Sequence, residues 1–431
     1  MNILLMIIKI ILKIILPASI YSGVLSRAKR SKDIFLSTKE LRQFFYIVLY
    51  PINLLCHLIV AFLKMPMVWL LTDGIYSTLK FLVKQFYFDI CDRHLGVKIA
   101  YKRAILFLEL VYCGRERKVS FGDKNPDKVF YVLRPYYFLE RNELVMNVSN
   151  LLFHYYRNLQ HLAYGVEKGW IPVVDWENYG PFAHGEDFPV NGSKNCWEYY
   201  WEQPSEYTLS EVYQSKNVVL SVQNTRDIPW MPSCSFSKDL QRQAEGYFEK
   251  CPKYDQLIKL NKPTQKYINA RQKELFPDNA RILGVAVRGS SYGDVENLKT
   301  NANGHPIQPK LRELIEEIEK IYTEWNMDYI FVTCEMESVI DVFKDVFKDK
   351  VISLPRLRYE KPPQRGDVER GMDRLYLPGQ KHQTNLDYLT EMVLLSRCTS
   401  IASAMSSGTR AALIWNNRKY ENIKIFDKGL I

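Results

Sequence analysis

The sequence predicts an α/β protein of two Rossmann-like lobes behind an apolar, helical N-terminal region. Three observations lead there. From about residue 128, short apolar runs alternate with amphipathic helical stretches, the signature of parallel sheets covered on both faces. Residues 235–280 are polar and helical with no strand signal, and they split the alternation into two series. The first 115 residues show none of it; they are aliphatic and aromatic with basic residues interleaved. The expected organisation is residues 1–115 as a membrane-association region, 116–270 as an N-terminal α/β lobe and 271–431 as a C-terminal lobe.

Composition sets the outer limits. A chain of 431 residues, 47% hydrophobic and 25% charged, is long enough for two or three domains and apolar enough to fill their cores. The eight cysteines are scattered without a C-x-x-C pair, which argues against a zinc site or a disulfide framework. The net charge of +10 is uneven: residues 1–43 hold eight Lys or Arg against Asp33 and Glu40. These cations sit among aliphatic residues, a pattern for a membrane surface and not for nucleic acid.

In the opening "ILLMIIKIILKIILP", Lys9 and Lys13 are four apart and share one helix face. Two lysines at a bilayer centre would cost about 2.5–3.5 kcal/mol each, so a helix lying in the interface fits better than a span. Residues 44–63 have no charged side chain and are long enough to span, but Pro51, Asn53 and His57 suggest a bent or re-entrant segment. The expected location is membrane-associated on the cytoplasmic face, with a type II protein facing the Golgi lumen as the alternative.

In the N-terminal lobe, 129–134 reads as a strand, 148–169 as a helix stopped by Gly169, and 170–176 as a second strand, with a loop at 135–146 over the first strand's carboxyl end. A short helical segment lies within 195–221 and precedes a strand at "NVVLS". The C-terminal lobe opens with the strand "RILGVAVR", 281–288. In "KLRELIEEIEKIYTEW", apolar residues at 311, 314, 315, 318, 321, 322 and 325 set a helical period. Then come "DYIFVTC" (strand), "ESVIDVFKDVF" (helix), "KVISLP" (strand), "NLDYLTEMVLLSRC" (helix), "SIASAM" (strand), "SSGTRAALIWN" (helix) and "NIKIFD" (strand).

Ligands of such sheets bind beyond the strands' carboxyl ends. Two segments lie there. "GVAVRGSS" delivers Arg288, followed by Gly289 and Ser290, off one strand. "ASAMSSGTR" places Ser406, Ser407 and Gly408 at a helix start, where free N–H groups and the helix dipole favour phosphate. An arginine fork matches a diphosphate as lysine cannot. The chain has neither G-x-G-x-x-G nor G-x-x-x-x-G-K-[ST], so dinucleotide redox and ATPase chemistry lack their usual supports.

On "AVRGSS" and "EMVLLSRCTSIASAMSSG", residues 128–431 resemble the fucosyltransferase superfamily of GT-B-like fold, which includes the α1,6-, nodulation and protein O-fucosyltransferases. "GHPIQP" (304–309) and 195–200 resemble glycosyltransferases of polysaccharide biosynthesis. The resemblance implies a membrane-associated, inverting glycosyltransferase that moves a sugar, fucose first among candidates, from a GDP-sugar to a glycan or lipid-linked acceptor. It assigns Arg288 to the donor diphosphate, Ser406, Ser407 and the Gly408 amide to a second phosphate contact, and Glu391 to the guanine edge. Glu296 falls where the α1,6-fucosyltransferases place a carboxylate proposed as base. Two positions depart from its pattern: the histidine two before the arginine is Ala286, and the aspartate after it is Ser291. They keep open a second function, a catalytically lapsed nucleotide-sugar-binding scaffold tethered to the membrane.

The expected reaction breaks the bond from the sugar to the diphosphate while an acceptor hydroxyl attacks from the opposite face. Arg288 and the helix dipole would stabilise charge on the leaving group, and with no D-x-D at a strand end no metal or other cofactor is expected. Candidates for the base are Glu296, Asp294 and, from the acceptor-side lobe, Asp175 or Glu177. Asp175 has a plainer alternative as a strand-end turn residue.

Overall fold

The computed structural model describes residues 116–134, 137–140, 143–146, 151–178, 185–221, 239–250, 254–288, 306–360 and 379–429. The chain divides into two units, Met1–Gly114 with Phe138–Val145, and Arg115–Tyr137 with Met146–Ile431. The predicted membrane-association region therefore lies outside the described residues. Among those that are described, no helix is long and apolar enough to cross a membrane.

In the larger unit, the first sheet has the order β1-β6-β2-β5. Strands β2 (Phe130–Leu133), β5 (Ile171–Val174) and β6 (Val218–Leu220) run parallel, as read from their apolar runs. Strand β1 (Arg117–Val119) adds an antiparallel edge on β6 that the sequence reading lacks. It is only three residues and two of them are basic, which suits an edge that must not recruit another strand. Strands β3 (Tyr137–Glu140) and β4 (Glu143–Met146) form a separate two-stranded sheet where the sequence predicts only a loop.

Helix α1 (Leu151–Glu167) joins β2 to β5 across the sheet. It ends as predicted at Gly169, whose φ of 70° is left-handed. The Gly169 N–H donates to Val166 O and the Trp170 N–H to Gly165 O, closing a Schellman motif. Helix α2 (Leu209–Val212) is a single capped turn before β6. The polar stretch that follows is helical, as expected: α3 (Leu240–Lys250), α4 (Tyr254–Leu257) and α5 (Lys262–Leu275).

The second sheet is fully parallel, in the order β11-β10-β7-β8-β9. Its strands are β7 (Ile282–Ala286), β8 (Tyr329–Thr333), β9 (Val351–Ile352), β10 (Ser400–Ala404) and β11 (Ile423–Phe426). That is the Rossmann arrangement, in which the chain builds outward from β7 to one side and then returns to build the other. Helices α6 (Leu311–Glu324) and α7 (Glu337–Phe347) bury Ile318 and Phe343 in a core with Leu283, Val285 and Ile330. Helices α8 (Lys381–Ser396) and α9 (Ser407–Asn416) pack on Ile282, Phe331 and Ile401.

That second core does not stop at the lobe. It continues through α1 into Tyr131, Trp176, Trp197 and Trp201. Tyr156 Oη donates to Ser407 O at 2.6 Å and Trp415 Nε1 to Tyr155 Oη at 2.9 Å. The two lobes thus share an apolar interior along α1, α8 and α9. Trp176, Trp197 and Tyr200 are all buried in it.

Candidate functional site

The switch point of the C-terminal sheet falls between β7 and β10, because the chain leaves β7 toward β8 and later returns to β10 on the other side. A cavity opens there, beyond the strands' carboxyl ends. Ala286, Val287 and Arg288 line it from β7, and Thr333, Cys334 and Glu335 from β8. Arg356 and Tyr359 enter from the segment after β9, Thr384, Tyr388, Glu391 and Met392 from α8, and Ser406, Ser407 and Gly408 from the start of α9. Arg288, Glu391 and the Ser-Ser-Gly turn thus line one cavity. All of these residues belong to the C-terminal lobe.

Each arrives for a local reason. The Val287 N–H donates to Thr333 O at 2.9 Å, extending the ladder past β7 and holding the backbone that carries Arg288. Ser406 is the N-cap of α9, with extended backbone at φ −153°, ψ 167°. Its Oγ accepts from the Thr409 N–H at 3.0 Å and lies 2.9 Å from Thr409 Oγ1. Thr409 Oγ1 donates onward to Ala404 O at 2.7 Å, so Ser406 is the donor in that hydroxyl pair. The Ser406 hydroxyl is therefore committed to the helix cap. First-turn N–H groups such as those of Ser407 and Gly408 are the ones a helix leaves for an anion.

Gly408 has a second reason to be glycine. A Cβ there would lie 2.3 Å from Met392 Sδ, so the missing side chain is what lets α9 pack against α8.

Glu391 is 1% exposed, halfway along a helix buried on nearly every side. Its Oε1 meets two guanidinium groups, Arg356 Nε at 2.8 Å and Arg358 Nη2 at 3.0 Å, whose side chains are 5% and 3% exposed. The contact to Arg356 is an ion pair and not a well-aligned hydrogen bond. Both arginines also donate to Cys334 O, from Arg356 Nη2 at 3.1 Å and Arg358 Nε at 3.0 Å. The segment that carries them is fixed along the end of β8: Tyr359 N–H donates to Glu335 O and Glu337 N–H to Tyr359 O. Burial pushes the Cys334 thiol up to about 12, so it is an inert wall. One turn before Glu391, burial raises the Asp387 carboxyl, which accepts from Tyr267 Oη and Gln383 Nε2.

Sequence reasoning missed Arg356 and Arg358. The signal was present as R-x-R one proline beyond the apolar run "VISL", since alternate residues of an extended segment point the same way. It is the signal that singled out Arg288, a cation at a strand end.

The remaining predicted residues lie elsewhere. Gly289, Ser290, Asp294 and Glu296 fall outside the described residues. Asp175 follows β5 in the N-terminal lobe and is fully buried. Its Oδ1 accepts from the Glu177 and Asn178 N–H groups, and its Oδ2 from Asn178 Nδ2 and Tyr213 Oη. That is the turn role the sequence also allowed. Glu177 is exposed, and neither it nor Asp175 lines the cavity. Ala286 donates its N–H to Ser403 Oγ at 2.8 Å and keeps the floor between β7 and β10 closed. Among the described residues, no group of three His, Cys, Asp or Glu side chains is placed to hold a metal ion.

Fold and site define an α/β protein with an arginine-lined pocket at the switch point of a Rossmann-like lobe. No family model and no curated protein matches the chain. Among solved structures it is similar to a fucosyltransferase NodZ from Bradyrhizobium, at 15% identity and a TM-score of 0.38, over 70% of this chain and 96% of that one. A NodZ α-1,6-fucosyltransferase co-crystallized with GDP is similar at 16% identity and a TM-score of 0.37, over 70% and 96%. POFUT1 in complex with GDP is similar at 10% identity and a TM-score of 0.37, over 70% and 99%.

Proposed function

We propose that this chain is a glycosyltransferase that takes a GDP-sugar, GDP-fucose first, and passes the sugar with inversion to a glycan or lipid-linked acceptor in polysaccharide or glycoconjugate synthesis. One observation carries the reading: Arg288 and the amino end of α9 line a single cavity at the switch point, with the carboxylate of Glu391 in its wall. A diphosphate needs the first two, and a guanine edge, with its N1–H and exocyclic amine, needs the third.

In the reaction, the acceptor oxygen bonds to the anomeric carbon as the bond to the diphosphate oxygen breaks. The electron pair leaves with GDP and the acceptor proton passes to a carboxylate. Charge grows on the departing diphosphate, where a fixed guanidinium and a helix terminus stabilise the transition state more than the ground state. That supports transfer without a metal ion. Asp294 or Glu296, a few residues after Arg288 in the sequence, takes the proton, with Asp175 and Glu177 as the acceptor-side alternatives. Asp175 would first have to give up hydrogen bonds from the Glu177 and Asn178 N–H groups, Asn178 Nδ2 and Tyr213 Oη. Residues 1–115, basic and apolar, keep the chain at the cytoplasmic face of a membrane, beside an acceptor held on a lipid carrier; a lumenal type II arrangement is the alternative.

Ala286 favours a second reading. It leaves no imidazole beside the arginine, as in a donor site that binds without turning over. Calorimetric titration of the full-length protein with GDP, followed by hydrolysis and transfer assays with GDP-fucose, separates the two. Binding with turnover supports the enzyme, binding without turnover supports the scaffold, and no binding of any nucleoside diphosphate refutes both.

A further inference from the structure

We propose that Arg356 and Arg358 are positioning residues that set which base the pocket accepts: they grip Glu391 by one carboxylate oxygen and leave the other for the ligand. This rests on the nucleotide reading above and adds to it the residues that determine its selectivity.

The geometry is specific. A lone arginine facing a carboxylate usually takes both oxygens with its fork. Here two arginines approach the same oxygen, Oε1, at 2.8 Å and 3.0 Å. Neither guanidinium is free to turn and take Oε2. Arg358 Nε and Arg356 Nη2 are tied to Cys334 O, and Arg358 Nη2 also donates to Leu354 O at 2.8 Å. Glu391 and Arg356 line the cavity, whereas Arg358 does not. The clamp therefore anchors the carboxylate from behind and from one side.

Two consequences follow. An oxygen with two lone pairs, fixed in a dry wall, accepts N–H groups and repels other acceptors. Guanine offers N1–H and its exocyclic amine side by side. Adenine offers an acceptor at N1, and uracil flanks its single N–H with two carbonyls. The clamp also corrects the local charge. An unaccompanied carboxylate in this cavity would repel the diphosphate that Arg288 is placed to receive. Two guanidinium groups against one carboxylate reverse that sign.

The test compares GDP, IDP and ADP binding to the full-length wild type, Arg358→Met and Arg358→Lys by calorimetry. Wild type should prefer GDP to ADP. Arg358→Met should weaken GDP by about 10- to 100-fold, the range for hydrogen bonds to a charged group, while ADP, held by its diphosphate alone, changes little. Arg358→Lys, which keeps the charge, should restore most of the preference. IDP, which lacks the exocyclic amine, should fall between GDP and ADP in the wild type. If Arg358→Met does not fold, Arg358→Gln and Arg356→Met, which each remove one guanidinium charge, carry the same comparison. Equal weakening of GDP and ADP in the variants would mean a merely structural clamp and overturn the proposal. So would a wild type that binds GDP and ADP alike, although the diphosphate site would stand. A wild type that binds no nucleoside diphosphate overturns the functional reading itself.

Discussion

Replacing Glu391 by Gln removes one negative charge and almost no volume. The amide oxygen still accepts a hydrogen bond, so the change isolates charge from shape. Two guanidinium groups, 5% and 3% exposed, are then left facing a neutral partner. With charge centres about 4 Å apart and an effective dielectric constant of about 20, each attraction is worth about 4 kcal/mol before desolvation and mutual repulsion are counted. Removing one partner of a buried pair costs about 3–5 kcal/mol net. Glu337 offers Arg358 a partial substitute at 3.6 Å but is 43% exposed, so the lower end of that range applies to its share. At about 2–4 °C per kcal/mol for a domain of 150–250 residues, a loss of about 3 kcal/mol, the lower end, should drop the melting temperature by about 6–12 °C. Urea and thermal melts of the full-length protein followed by circular dichroism measure it. Arg358→Met in the Glu391→Gln background should recover part of the loss by withdrawing one uncompensated cation. A Glu391→Gln protein within 1 kcal/mol of wild type, by a melt that resolves about that much, would refute the clamp as a charged cluster.

Two further outcomes follow from packing and titration. Gly408→Ala places a Cβ 2.3 Å from Met392 Sδ, and the overpacking should cost about 1–3 kcal/mol in urea midpoint measurements, whether or not a ligand is present. His161 is lowered to about 3 by burial and by the charges of Arg157 and Arg134, and its Nδ1 meets Tyr131 Oη at 2.9 Å. The unfolded chain takes up this proton near pH 6.5 and the folded chain does not, so stability falls as pH drops from 6.5 toward 3. Between pH 7.5 and pH 5 the loss should be about 2 kcal/mol, and His161→Phe should abolish that share of the slope. His382, lowered by burial as well, acts in the same direction, so the difference between variant and wild type isolates His161.

The C-terminal lobe was legible because its central strands are short buried runs and helices α6 and α7 carry a clear period. Ile282–Ala286 is apolar at every position, and the only polar residues of Ser400–Ala404 are two small buried serines. Strand β1 was not legible, since Arg-Lys-Val is no different from a polar loop until Val218–Leu220 is beside it. The site was legible where a local rule applied. An arginine off a strand and a Ser-Ser-Gly helix start both announce themselves, and the topology brings them together. Glu391 was found by its position, but its state depends on Arg358, 33 residues upstream, and no local pattern reports such a pairing. Asp175 illustrates the same limit. A strand-end aspartate reads equally as a base or a turn residue until Tyr213, 38 residues on, donates to it.

If Arg288 meets a diphosphate beside the amino end of α9, its removal should cost nucleotide affinity. Calorimetric titration of GDP into full-length wild type and Arg288→Ala, with melts to confirm that both are folded, measures that cost. Wild type should bind GDP and the variant should lose about 10- to 100-fold, the range expected for charge-assisted hydrogen bonds to phosphate. Equal affinity for GDP in the two proteins would rule out a diphosphate at Arg288.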